Sequence, residues 1–290
     1  MTKLFGFVQF DFAGPLVLAD GRYLAREAGG GDESVLVIST LGAPVAAKRR
    51  RRRARDVGEA GEPAGLPLAR VTVIRAFAPF DDEGAAGRWL DEATEAEDTV
   101  DVLVGEAIEL LNRALHVQAV AAVDTRSQAL GAERAATVRI GYGSGEETAD
   151  GRFSAAREVD VGAGAISRRR QREQELRPQE RVAAVLGGRE QLDTCEKLLL
   201  RARVDLDGGR EREAALQLRG GLEALLAELR GELDEGHARD MDALRERSDA
   251  AAAVAKAAAG GALTSAQGNE LRELLEIAER VLRRRRVLRG

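Results

Sequence analysis

His116, His237, Cys195 and a glycine-rich run at 141–145 are the places where this 290-residue chain could do chemistry. The two histidines are far apart and lie in no HExxH or comparable metal-ligand spacing. Asn112 precedes His116 by four residues, so on a helix the pair shares a face and the amide could orient an imidazole. A lone histidine near a helix C-terminus is more commonly a surface residue that suits the helix dipole. Cys195 falls on an apolar helical stripe, where a thiol packs rather than reacts, and as the sole cysteine it forms no intrachain disulfide and no Cys-based zinc site. Gly141-Tyr142-Gly143-Ser144-Gly145 follows a strand, as a phosphate loop would. Glu146 and Glu147 would repel phosphate, however, and Asp150-Gly151 reads as a turn, so a bulged hairpin with no helix after it is expected. There is no GxxxxGK[ST] and no GxSxG elbow, and carboxylate pairs such as Asp81-Asp82 are ordinary among 49 acidic residues. No catalytic residue, metal ligand or cofactor-binding residue is assigned, and no cofactor is expected.

An internal echo offers a different kind of site. Ala19-Asp20-Gly21-Arg22-Tyr23 recurs as Ala149-Asp150-Gly151-Arg152-Phe153, each after a strand with glycine between bulky residues. Asp-Gly supplies the positive φ of a tight hairpin, with the aromatic opening the return strand. The simpler reading is two hairpins sharing good turn chemistry; the other is one recognition surface built from both. Asp20, Arg22, Tyr23, Asp150, Arg152 and Phe153, with Asn112 and His116, are therefore the candidate binding residues.

Charge is strongly patterned. Residues 48–55 hold seven cations in eight positions, including Arg49, Arg50, Arg51, Arg52 and Arg53. Residues 168–172 hold four in five, and Arg283, Arg284, Arg285 and Arg286 are consecutive. A basic arm of this kind can contact nucleic acid or a ribosome by releasing counterions from phosphates. Opposing that, the net charge is −5, no aromatics are interleaved for base stacking, and residues 81–101 carry nine carboxylates against Arg88. The last run also suits the C-terminal end of a helix. Solvated or internally paired arginine is the first expectation, nucleic acid the second, and a membrane surface or acidic protein the third.

These residues must be positioned by two unlike halves, because all ten aromatics lie at or before Phe153. Residues 3–12, 34–40 and 69–77 read as strands, the first central and covered on both faces. Residues 81–96 read as a helix anchored by Trp89 and Leu90, and Asp98 can cap a longer one carrying Val100, Leu103, Val104, Leu111 and Leu115. Strands return at 136–142 and 152–161. This order predicts α+β: an N-terminal antiparallel sheet with two helices. Beyond it everything reads as helix: 189–206 with Leu192, Cys195, Leu198, Leu199 and Ala202 on a stripe, then 210–233, 238–259, and a last helix capped by Ser265. Gly208-Gly209 and Gly260-Gly261 mark short connections, giving an all-α antiparallel bundle. The stretch GGREREAALQL (208–218) weakly resembles a tetratricopeptide hairpin, but it lacks the repeat's aromatics and any period, and reads as a generic helical hairpin.

The expected organisation is an α+β domain at 1–163 with a basic loop at 46–67, a charged linker at 164–177 and a helical domain at 178–290. No signal peptide is expected of the first residues, since Gln9 and Asp11 interrupt the apolar stretch, and no run is long enough to span a membrane as a helix. With a single cysteine, a cytoplasmic protein is expected.

The runs VQFDF, ADGRY, VLVISTLGAP, RVTVIRA and ADGRF resemble a conserved protein family of high-GC bacteria with no assigned function. The resemblance spans most of the chain and implies a bacterial, cytoplasmic context but no site residue. The leucine stripes of the second half suggest helix–helix seams. The expected function is thus a non-catalytic adaptor or scaffold that contacts a protein partner or itself, possible homo-oligomer or coiled coil included, through the C-terminal helices. A nucleic-acid-associated protein using the arginine loop is the alternative, and an enzyme of unknown class the third.

Overall fold

The computed structural model describes residues 3–26, 33–42, 67–124, 128–161, 179, 181–228 and 235–289. The arginine-rich loop before Pro67 and the charged linker at 164–177 lie outside these residues. The chain divides into two compact units, Met1–Ala165 and Ile166–Gly290.

The first unit is a six-stranded antiparallel sheet in the order β2-β3-β4-β1-β5-β6. Its strands are β1 (Leu4–Ala13), β2 (Gly21–Arg26), β3 (Glu33–Leu41), β4 (Leu68–Phe80), β5 (Ala135–Ser144) and β6 (Ala155–Val159). β1 lies between β4 and β5 and is buried on both sides, which accounts for its near-continuous hydrophobicity. Alternation sorts its residues. Val8, Phe10 and Phe12 enter the larger core with Leu36, Ile38, Val71, Val73, Val138 and Ile140. Two helices supply the other wall of that core, α1 (Glu83–Glu95) through Leu90 and α2 (Glu97–Ala122) through Leu103, Val104, Leu111 and Leu115. The α+β architecture expected from the order of the elements is the observed one.

The ends of these helices differ from expectation in one respect. Asp82 caps α1, its carboxylate accepting from Ala85 N–H at 2.7 Å. α2 begins one residue before Asp98, with Ala96 at its N-cap and no side-chain cap, so Asp98 instead adds negative charge to the first turn. Val123 ends the helix in the left-handed region at φ 53°.

The opposite sheet face carries a smaller apolar island, Phe7, Val37 and Ile74, next to a polar row. A short helix, α3 (Gly145–Ala149), opens directly after Ser144. This corrects the expectation that no helix follows the glycine run.

The second unit is helical: a helical stretch at 181–186, then α4 (Thr194–Asp207), α5 (Glu211–Glu228), α6 (Glu235–Glu246), α7 (Ser248–Gly260) and α8 (Ser265–Arg289). The single helix expected over 238–259 is two, parted at Arg247. Arg247 leaves the helical path to clamp Glu270 and Glu273 of α8 at 2.8 and 2.7 Å. Thr264, not Ser265, caps α8: its hydroxyl accepts from Gln267 N–H at 3.3 Å while the Gln267 side chain accepts from Thr264 N–H at 2.9 Å. The core of this unit is Leu, Ala, Val, Ile, Met and the buried Cys195, with no aromatic residue.

Candidate functional site

The candidate site is built on the second sheet face, where period-two alternation puts Gln9 and Asp11 of β1 beside like-facing residues of its neighbours. Gln9 pairs in register with Thr72 and Arg139; Asp11 pairs with Arg70 and Thr137. Gln9, Asp11 and Thr72 are buried. Arg70 donates from Nε and Nη2 to both oxygens of Asp11, at 2.8 and 3.0 Å. Arg139 Nη1 approaches the same carboxylate at 2.9 Å and Gln9 Oε1 at 3.4 Å, and Gln9 Nε2 donates to Thr72 Oγ1 at 3.0 Å.

Burial pushes the Asp11 carboxyl up, but hydrogen bonds from Arg70 and then Arg139, reinforced by their charge, hold it below the usual carboxylate range. The group stays ionised and is a weak base. Its partners are spent on it: Arg70 in two parallel bonds, Arg139 between Asp11 and Gln9. The cluster locks three central strands rather than offering a free acid, base or nucleophile. In the sequence Gln9 and Asp11 stand out only as interruptions of an apolar run. The missing signal was an arginine on the matching alternation of β4 and of β5.

The two copies of the echoed motif come together, but not as twin hairpins. Arg22 Nη2 of the first donates to Asp150 Oδ1 of the second at 2.7 Å, and Arg152 Nη2 lies 3.8 Å from Asp150 Oδ2. Gly151 has the positive φ of a tight turn, +81°, and Phe153 meets Phe7 with ring centroids 5.5 Å apart. Gly21, in contrast, is the first residue of β2 and pairs with Ile38; β2 returns along β3, not β1. There Asp20 accepts from Thr40 N–H and Oγ1 at 2.9 and 2.8 Å, and the Tyr23 hydroxyl donates to Ala19 C=O at 2.7 Å. The echo is local chemistry used in two ways.

Asn112 does not serve an imidazole through its free amide. It clamps Leu130, donating to its C=O at 2.9 Å and accepting from its N–H at 2.8 Å, while His116 is half-buried on the following turn. Arg49, Arg50, Arg51, Arg52 and Arg53 lie outside the described residues. Of the last arginine run, Arg284 is paired, 2.7 Å from Asp240, and within residues 81–101 Asp91 is paired with Arg157.

A shallow, open depression is lined by Lys3, Leu4, Phe5 and residues 144–147, where Ser144 Oγ donates to Glu147 Oε2 at 2.7 Å. Among the described residues no group of three or more His, Cys, Asp or Glu could hold a metal ion, and no helix is long and apolar enough to cross a membrane.

In the helical unit the predicted stripe residues Cys195, Leu199 and Ala202 turn inward. Gly221 of α5 lets Leu199 approach, since a Cβ there would lie 2.8 Å from the leucine side chain. Leu192, expected on the same stripe, precedes α4 and is 42% exposed, and also outward are Leu186 at 83%, Leu200 at 66%, Val182 at 55%, Leu216 at 50% and Val204 at 46%. Leu200 and Val204, one turn apart, lie opposite the buried face of α4, with Lys197 and Arg201 to one side of them and Asp207 to the other. No family model matches the chain, and neither a curated protein nor a solved structure matches it.

Proposed function

We propose that this protein is a non-catalytic adaptor whose helical unit associates with a second copy of itself. The observation that carries the reading is the outward pair Leu200 and Val204 on α4, a helix whose other face is already committed to the core. Apolar side chains at that spacing fit a helix-packing seam. Lys197 and Arg201 flank the pair on one side and Asp207, 3.5 Å from Arg203, on the other, so the seam is apolar at its centre and charged at its rim. The leucine stripes that first suggested association are used inside the unit, so the proposed seam is this second, outward one.

The test is light scattering on the full chain beside Leu200→Glu and Val204→Glu together. The reading expects a concentration-dependent rise in mass that the double variant abolishes while circular dichroism and thermal unfolding stay unchanged. A monomer at every concentration, or association untouched by the variant, contradicts it.

A further inference from the structure

Residues 145–154 form a strap over the second sheet face. It leaves β5 at Ser144, brings α3 against β1 and β4, reaches β2 through Asp150 and Arg22, and rejoins the sheet at Ala155. Its backbone bonds are local. Asp150 N–H donates to Glu146 C=O at 3.0 Å, Gly151 N–H to Thr148 C=O at 3.0 Å and Arg152 N–H to Glu147 C=O at 2.8 Å. Ser154 N–H donates to Tyr142 C=O, at 3.0 Å, within the same hairpin. Among the described residues, no backbone hydrogen bond ties the strap to β1, β3 or β4.

Side chains alone hold it to those strands. Ala149 packs on Phe7, Val37 and Ile74, Phe153 meets Phe7, and the exposed Arg22–Asp150 pair fixes the far corner. The seat is shaped by Gly143, where a Cβ would lie 2.6 Å from Thr148 Oγ1 and 3.1 Å from Phe153 Cα. Among the described residues the buried Thr148 hydroxyl meets no hydrogen-bond partner, so the closed strap carries a desolvation cost that opening relieves.

We infer that the strap opens as a unit while the six-stranded sheet stays formed, baring Phe7, Val37 and Ile74, with the Arg22–Asp150 pair as its latch. Locally bonded segments held by few side-chain contacts are the ones that open below the global unfolding free energy. The device belongs to the first unit and stands apart from the proposed seam on α4.

Native-state hydrogen exchange on the full chain tests it, comparing wild type with Gly143→Ala and Asp150→Asn. Overpacking at Gly143 is expected to speed exchange at the Asp150, Gly151 and Arg152 amides by about tenfold or more. The amides of Val8, Phe10 and Val73 should keep their wild-type rates. Asp150→Asn should raise the strap rates by about two- to fivefold, the size of an exposed ion pair. Strap and β1 amides accelerating together, or strap rates unchanged in Gly143→Ala, overturn the inference. Should Gly143→Ala fail to fold, Asp150→Asn decides alone: a rise confined to the strap supports it, and no rise or a sheet-wide rise overturns it.

Discussion

The two units solve the same problem, placing charge in a protein rich in arginine and carboxylate, with different emphasis. The sheet unit concentrates it. Asp11, with a side chain only 7% exposed, draws Arg70 and Arg139 onto a single carboxylate between three strands. The helical unit distributes most of it, with one node of its own: Asp240, its side chain 12% exposed, takes Arg280 at 3.5 Å and Arg284 at 2.7 Å. Arg203 grips Glu279, Arg247 grips Glu270 and Glu273, and Arg272 reaches Glu211, each joining α8 to another part of the bundle from a partly solvated position. Two more contacts close helix ends: Arg212 donates to Ala258 C=O at 2.7 Å, and Glu228 accepts from the Thr194 and Cys195 amides at the start of α4. A sheet core built of aromatics can enclose one charged node. A core without aromatics, built chiefly of Leu and Ala, is tied by several latches at its margin as well as by the pairs on Asp240.

That contrast breaks if the central node proves unimportant. Asp11→Ala leaves two guanidiniums facing each other in a mostly buried setting and should cost about 2–3 kcal/mol, less than the full penalty of a buried pair because both arginines keep some solvent. Urea unfolding measures it. The pH dependence has a definite sign. Because Asp11 is held below its ordinary value in the fold, its contribution is fully present above the unfolded carboxyl value, near 3.8, and is lost as pH falls through the lower folded value. Wild type should therefore lose that share of stability on acidification below about pH 4, and the variant should lack it.

Packing in the other unit gives the next effect. Gly221→Ala forces a methyl against Leu199 and should cost about 1–3 kcal/mol, read from the shift in urea midpoint. Asn112→Ala removes both bonds to Leu130 and should cost about 1–2 kcal/mol in the sheet unit. The smallest effect sharpens the comparison. Arg203→Gln should cost about 0.5–1 kcal/mol, and high salt should erase most of the difference from wild type. A larger or salt-independent loss would mean that the Arg203–Glu279 contact is itself a node rather than a latch.

Much of the architecture was legible because hydrophobic period and turn chemistry are local. β1 and β4, α1 with its Trp89 and Leu90 anchors, and the Gly208-Gly209 break all follow from nearby residues. What was illegible depends on partners distant in sequence. The Asp11 node needs Arg70 and Arg139, and the break between α6 and α7 exists where Arg247 turns to α8. The cap of α8 is a different case, a local signal: Thr264 and Gln267, three residues apart, form a capping box that prevails over Ser265. The echoed motif, by contrast, misled through distant partners: Asp20 and Asp150 have the same neighbours in sequence but different ones in space, Thr40 for the first and Arg22 for the second.

The outward face of α4 is the point on which the functional account rests, and Lys197 beside it makes a direct measurement possible, since the chain has only three other lysines, Lys3, Lys48 and Lys256. Full-length protein mixed from normal and nitrogen-15-labelled copies can be cross-linked with an amine-reactive reagent and its linked peptides identified by mass. The account predicts mixed-isotope links through Lys197 that disappear when Leu200 and Val204 are both replaced by glutamate. Mixed-isotope links that avoid Lys197, or none at all at concentrations where the chain is folded, would contradict it.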